Sequence, residues 1–134
     1  MRVLIVEDDP ISRELLKRIL SPYGDCTLCV DGREAVAAFR NTLETGSRFD
    51  LVCLDIMMPE MDGQEALKEI RRLERDKGIA RSQESVVIMT TALDTPKDVI
   101  EAYYRGGCTS YLVKPINQRK LLNVIQELGL LASE

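Results

Sequence analysis

The chain has 134 residues, 45% hydrophobic and 30% charged, with a formal net charge of -4 and a pI near 5.0. That profile fits one ordinary soluble domain with one core, and it argues against a general nucleic-acid binder, because no Lys/Arg cluster is large enough to neutralise a row of phosphates. Only the four apolar residues VLIV separate Met-Arg from three acids, too few for a signal peptide or a membrane span, so a cytoplasmic chain with no membrane partner is expected.

In chain order, short apolar runs alternate with helical periodicity five times. VLIV (3–6) leads to Ile11, Leu15, Leu16, Ile19 and Leu20 at helical spacing, with Asp9 as the N-cap and Pro10 in the first helical position. Tyr23-Gly24-Asp25 ends that unit. CTLCV (26–30) is a weaker strand whose alternation sends Cys26 and Cys29 to opposite faces, which disfavours a redox or metal role for this C-x-x-C. All four cysteines are read as thiols. Asp31-Gly32, a turn signal, leads to a helix carrying Ala35, Val36, Phe39 and Leu43, with Gly46 as its stop signal.

LVCL (51–54) runs into Asp55 and the loop IMMPEMDG, where Pro59 and Asp62-Gly63 turn the chain toward a helix beginning near Gln64. Ala66, Leu67, Ile70 and Leu73 form its apolar side, and the mixed charges of RRLERDK (71–77) read as a solvated face. The polar stretch 76–85 is expected to be a mobile loop before the strand VVIM (86–89). Thr95 caps the next predicted helix, Pro96 to Arg105, with Asp98 in the capping-box position and Val99, Ile100, Tyr103 and Tyr104 as its apolar side, ending at Gly106-Gly107. YLV (111–113) is the last strand. Asn117 caps a final helix in which Leu121, Leu122, Val124, Ile125 and Leu128 face inward; only six residues follow, leaving no room for an effector domain in a single-domain chain of 1–134.

Strands of continuous hydrophobicity, each followed by a helix, predict a doubly wound parallel sheet of five strands in a three-layer α/β/α domain. Ligands gather at the carboxyl edge of such sheets, near the point where strand order reverses. Glu7, Asp8 and Asp9 follow the first strand, Asp55 the third, Thr90 and Thr91 the fourth, and Lys114 the fifth. Crowded carboxylates repel by ~4 kcal/mol at ~4 Å and an effective dielectric of about 20, so either their pKa values rise or a cation intervenes. Oxygen-only ligation without His or Cys suits Mg2+, completed by phosphate oxygens. Asp55 could then attack phosphorus, while Lys114 and a Thr hydroxyl stabilise the transferring oxygens.

At Glu7-Asp8, Asp55, Thr91-Ala92 and Lys114-Pro115, in this order and spacing, the sequence resembles the receiver domain of two-component response regulators, of the single-domain chemotaxis-regulator kind, from Val3 to Leu128. The resemblance implies a flavodoxin-like strand order 2-1-3-4-5. It implies that Asp55 accepts the phosphoryl group and that Glu7, Asp8, Asp55 and the backbone carbonyl of Met57 hold Mg2+. Thr91 would receive a phosphoryl oxygen, Lys114 would pair with the phosphoryl group beside a cis Lys114-Pro115 bond, and Tyr111 would be the aromatic switch. Asp9 matches no ligand position and remains a helix cap; Thr90 is a packing residue.

The chain contains no histidine, so it cannot be the histidine donor of a phosphorelay. The phosphoryl group must come from a histidine kinase, a phosphotransfer protein or a small phosphodonor. An Asp-nucleophile phosphatase is the enzymatic alternative, but Met57 stands where that class places a second Asp. A flavodoxin-like cofactor binder would need a Gly-rich or Ser/Thr-rich phosphate loop after the first strand, where this chain has acids. The expected protein is therefore a switch that catalyses only its own phosphorylation and dephosphorylation. Thr91 would move toward the new phosphoryl oxygens and let Tyr111 turn inward, so that a downstream protein is bound in trans. A domain excised from a larger regulator is the other reading. No complementary acid-base set marks the final helix for pairing, so a monomer is the default. Apolar Met57 and Leu93 flanking the site would hinder hydrolysis of the aspartyl phosphate.

Overall fold

The computed structural model describes residues 1–58, 60–92 and 107–131; Pro59, Leu93 and the helix expected from Pro96 to Arg105 lie outside the described residues. Five strands, β1 (Arg2–Val6), β2 (Asp25–Cys29), β3 (Leu51–Asp55), β4 (Val86–Thr91) and β5 (Ser110–Val113), form one parallel sheet in the order β2-β1-β3-β4-β5. Alternate side chains divide the interior into two cores. Leu4, Val6, Val52, Leu54, Val87 and Met89 face α2 (Gly32–Glu44) and α3 (Gly63–Asp76). Val3, Ile5, Leu51, Cys53 and Ile88 face α1 (Pro10–Leu20) and α4 (Gln118–Glu127). Both faces being covered accounts for the unbroken apolar runs. Phe39 and Phe49 are stacked with centroids 6.1 Å apart in the first core, each burial contributing about 2–3 kcal/mol.

Helix starts follow local chemistry. Asp9 accepts from the Ser12 N–H and Asn117 from Lys120, as the cap signals predicted, and Asp31, read only as part of a turn, caps α2 by accepting from Glu34. Asp62 is a fourth cap, accepting from the Glu65 N–H at 2.9 Å, so the Asp62-Gly63 pair read as a turn is the beginning of α3. Cys26 and Cys29 do point into different cores.

Apolar spacing in α1 does not equate with burial: Ile11 and Leu15 are 80% and 41% exposed. The buried stripe of α1 is Leu16, Ile19 and Leu20, and Ile11 lies about 140° around the helix from Leu16 at 3.6 residues per turn. The charged run 71–77 is not uniformly solvated either: Arg71 and Glu74 are buried. They continue the inner face of Leu67 at i+4 and i+7, and the structure satisfies both. Arg71 Nη1 donates to Glu74 Oε1 at 2.7 Å and to the Ser85 carbonyl at 2.9 Å, while its Nε donates to the Gly107 carbonyl at 3.0 Å. Glu74 Oε2 accepts from the Ser85 N–H at 2.8 Å. The stretch expected to be a loose loop contains a 3-10 turn, Arg81–Gln83, and is anchored through Ser85 at its end.

Candidate functional site

Parallel register brings the site together. Val6 is level with Leu54, Asp55 with Thr90 and Thr91 with Val113, so Glu7, Asp55, Thr91 and Lys114 emerge along one carboxyl edge. Glu7 follows β1 and Asp55 ends β3, where chain order reverses from one side of β1 to the other. Glu7 is fully buried, Asp55 and Thr91 are buried, and Asp8 is exposed.

Lys114 reaches across from beyond β5. Its Nζ lies 2.5 Å from Glu7 Oε1 and 3.3 Å from Asp55 Oδ2, and its own N–H donates to the Thr91 carbonyl at 2.7 Å. The Lys114–Pro115 peptide bond is cis, as expected. The Met57 N–H donates to Asp55 Oδ1 at 3.3 Å, and the Met57 side chain is exposed. Tyr111 is partly buried against the α2/α3 core, and Thr90 serves as a backbone anchor, its carbonyl accepting from Ile56.

Burial pushes the Asp55 carboxyl up to about 8, assisted by the hydrogen bond and negative charge of Glu7, with Lys114 opposing. Burial works against ionisation of Glu7 too, but its bonds with Asp55 and Lys114 win and hold it below the usual glutamate value. For Lys114, burial opposes the charge, yet the two acids raise it above an ordinary lysine. Without a metal, the balance thus favours protonated Asp55 beside ionised Glu7 and the Lys114 ammonium.

One carboxylate oxygen each from Glu7, Asp8 and Asp55 lies within 4.8 Å of the others. Lys114 approaches Glu7 Oε1 without hydrogen-bond alignment, leaving that buried oxygen without a hydrogen bond. Hard oxygen donors, excess negative charge and an unsatisfied buried oxygen all fit Mg2+.

One contributor was missed in the sequence. Arg13 Nη1 donates to the carbonyls of Glu7 at 2.8 Å and Asp8 at 3.4 Å, holding the acidic turn from α1. Its only sequence signal is a guanidinium in the first helical turn, within reach of the preceding loop.

The chain belongs to the response regulator receiver domain family, whose model matches residues 3–126. Hybrid signal transduction histidine kinase I of Dictyostelium discoideum is 30% identical over 92% of this chain, which spans only 7% of that relative. Among solved structures, the receiver domain of the histidine kinase CKI1 from Arabidopsis thaliana, complexed with Mg2+ and BeF3-, is 34% identical with a TM-score of 0.81, covering 95% of this chain and 88% of the other. The receiver domain of Ssk1 from Saccharomyces cerevisiae, in a co-crystal with the phosphotransfer protein Ypd1, is 31% identical with a TM-score of 0.81, covering 96% and 88%. Among the described residues, no helix is long and apolar enough to cross a membrane.

Proposed function

We propose that this receiver takes a phosphoryl group onto Asp55 from a histidine kinase or a phosphotransfer protein in the cytoplasm and, as a monomer, uses the product to switch its binding of a downstream protein. The observation that carries this reading is Lys114 Nζ standing between Glu7 and Asp55, beside three converging carboxylates. The Mg2+ and BeF3- of the CKI1 receiver and the Ypd1 partner of the Ssk1 receiver support the same cofactor and donor class here.

Glu7, Asp8, Asp55 and the Met57 carbonyl would hold Mg2+, which when bound supplies positive charge to offset the acids and the phosphoryl oxygens. An Asp55 carboxylate oxygen forms the new O–P bond as the donor's P–N bond breaks. The electron pair stays on the imidazole nitrogen, which takes up a proton. Lys114 pairs with the transferring oxygens and Thr91 donates its hydroxyl to one of them. Movement of Thr91 toward the phosphoryl group gives Tyr111 room to turn inward, which changes the surface offered to a protein target. The protein acts as substrate and switch, with no turnover of another molecule.

Incubation with acetyl phosphate and Mg2+, followed by intact-mass measurement, tests this directly. Wild type gains one phosphoryl mass and Asp55→Ala gains none; an equal gain in the variant rejects Asp55 as acceptor.

A further inference from the structure

Met57 and Asp55 belong to the segment that joins β3 to α3, and that segment is tied to α2 as well as to its own ends. The Gly63 N–H donates to the Ile56 carbonyl at 2.9 Å, closing the base. Higher in the loop, the Gly32 N–H donates to the Met61 carbonyl at 3.2 Å. Gly32 is the first residue of α2, where helix amides have no partner inside the helix. Its direction is fixed by a reciprocal cap: the Glu34 N–H donates to Asp31 Oδ1 at 2.8 Å and the Val30 N–H to Glu34 Oε1 at 3.0 Å. On the outer side, Arg33 pairs with Glu60 at 3.3 Å, and Glu60 holds a φ of 67, unusual for a residue with a side chain.

A Cβ on Gly32 would lie 2.4 Å from the Met61 carbonyl oxygen and 3.1 Å from its carbonyl carbon. Gly32 is absent from the glycines with positive φ, so the requirement is space and not backbone conformation. We infer that Gly32 is a positioning residue for the metal site: the start of α2 docks on the acceptor loop and steadies the segment whose Met57 N–H meets Asp55 Oδ1 and whose Met57 carbonyl would serve the metal. This rests on the reading of the site as a Mg2+ centre. The coupling runs through a backbone hydrogen bond that only a residue without a side chain permits at this separation.

Gly32→Ala must push the Met61 carbonyl away by on the order of 1 Å to reach ordinary contact. Titration calorimetry with Mg2+ alone should show Kd raised about ten-fold, the lower end of what changes just outside a ligand set produce. The Mg2+ needed for half-maximal acetyl phosphate labelling should rise in parallel, with the rate at saturating Mg2+ nearly unchanged. Arg33→Ala, which removes only the exposed pair, should leave Kd within about two-fold. An unchanged Kd in Gly32→Ala overturns the inference. Should that variant fail to fold, amide exchange in wild type decides: slower exchange of the Gly32 N–H on adding Mg2+ supports the coupling, and no change overturns it. Wild type that binds no Mg2+ rejects the reading of the site itself, a result distinct from tight binding that Gly32→Ala leaves untouched.

Discussion

Lys114 and Glu7 meet at 2.5 Å between Nζ and Oε1, although one follows β5 and the other β1. The glutamate is fully buried, and its bonds with Asp55 and Lys114 together outweigh that burial and hold it below the usual glutamate value.

Lys114→Met should therefore separate metal binding from phosphoryl transfer. Loss of a charged group aimed at the transferring oxygens lowers the labelling rate by about 10²-fold. Mg2+ affinity is retained or increased, since a competing cation has gone. Rate by intact mass and Kd by calorimetry check the two halves; equal losses in both would contradict the assigned role.

Stability without metal should fall as pH rises. Asp55 has its carboxyl raised from 3.8 to about 8 in the fold, so between these values the folded chain keeps a proton that the unfolded chain has released. Its contribution is complete below about pH 4 and is lost as pH climbs through about 8. Glu7 is shifted the other way, and its contribution is lost only in acid, below its ordinary value of 4.5. Mg2+ competes with the Asp55 proton, so the gain in Tm from added Mg2+ should be larger at pH 8 than at pH 5.5. Thermal melts at both pH values, with and without Mg2+, measure it.

Arg71 and Glu74 predict a non-additive double-mutant cycle. Either Arg71→Met or Glu74→Leu alone strands a buried charge and should cost about 3–5 kcal/mol in urea unfolding. The double replacement should cost clearly less than the sum of the two. Additive losses would mean the pair is not coupled.

The thiols should be slow to react in the folded state. Burial raises Cys53 to about 12, and raises Cys29 and Cys108 to about 11. Cys26, half-buried and also raised by burial, is the most accessible of the four. Timed iodoacetamide labelling at pH 8 should modify Cys26 first and leave Cys53 unmodified until the chain unfolds.

The strands and the carboxyl-edge chemistry were legible because two-sided burial writes continuous apolar runs, and the residue after each run lands on the functional edge. Asp9 and Asn117 were legible as caps because each stands just before a helical apolar pattern, whereas Asp31 and Asp62, each followed by Gly, read as turns. Burial of Arg71 and Glu74 was hidden by their charge, although their spacing from Leu67 was the available signal. Exposure of Ile11 was not legible, because its apolar type and helical spacing match those of the buried residues of α1. Arg13 and Gly32 act through backbone carbonyls of distant segments, and side-chain patterns do not encode that partnership.

Because Lys114, which follows β5, pairs with Glu7, which follows β1, the assembled centre needs both strands docked in the same sheet. A chain in which β5 is not yet docked lacks that ammonium and should label as slowly as Lys114→Met, so the labelling rate also reports whether that strand is in place.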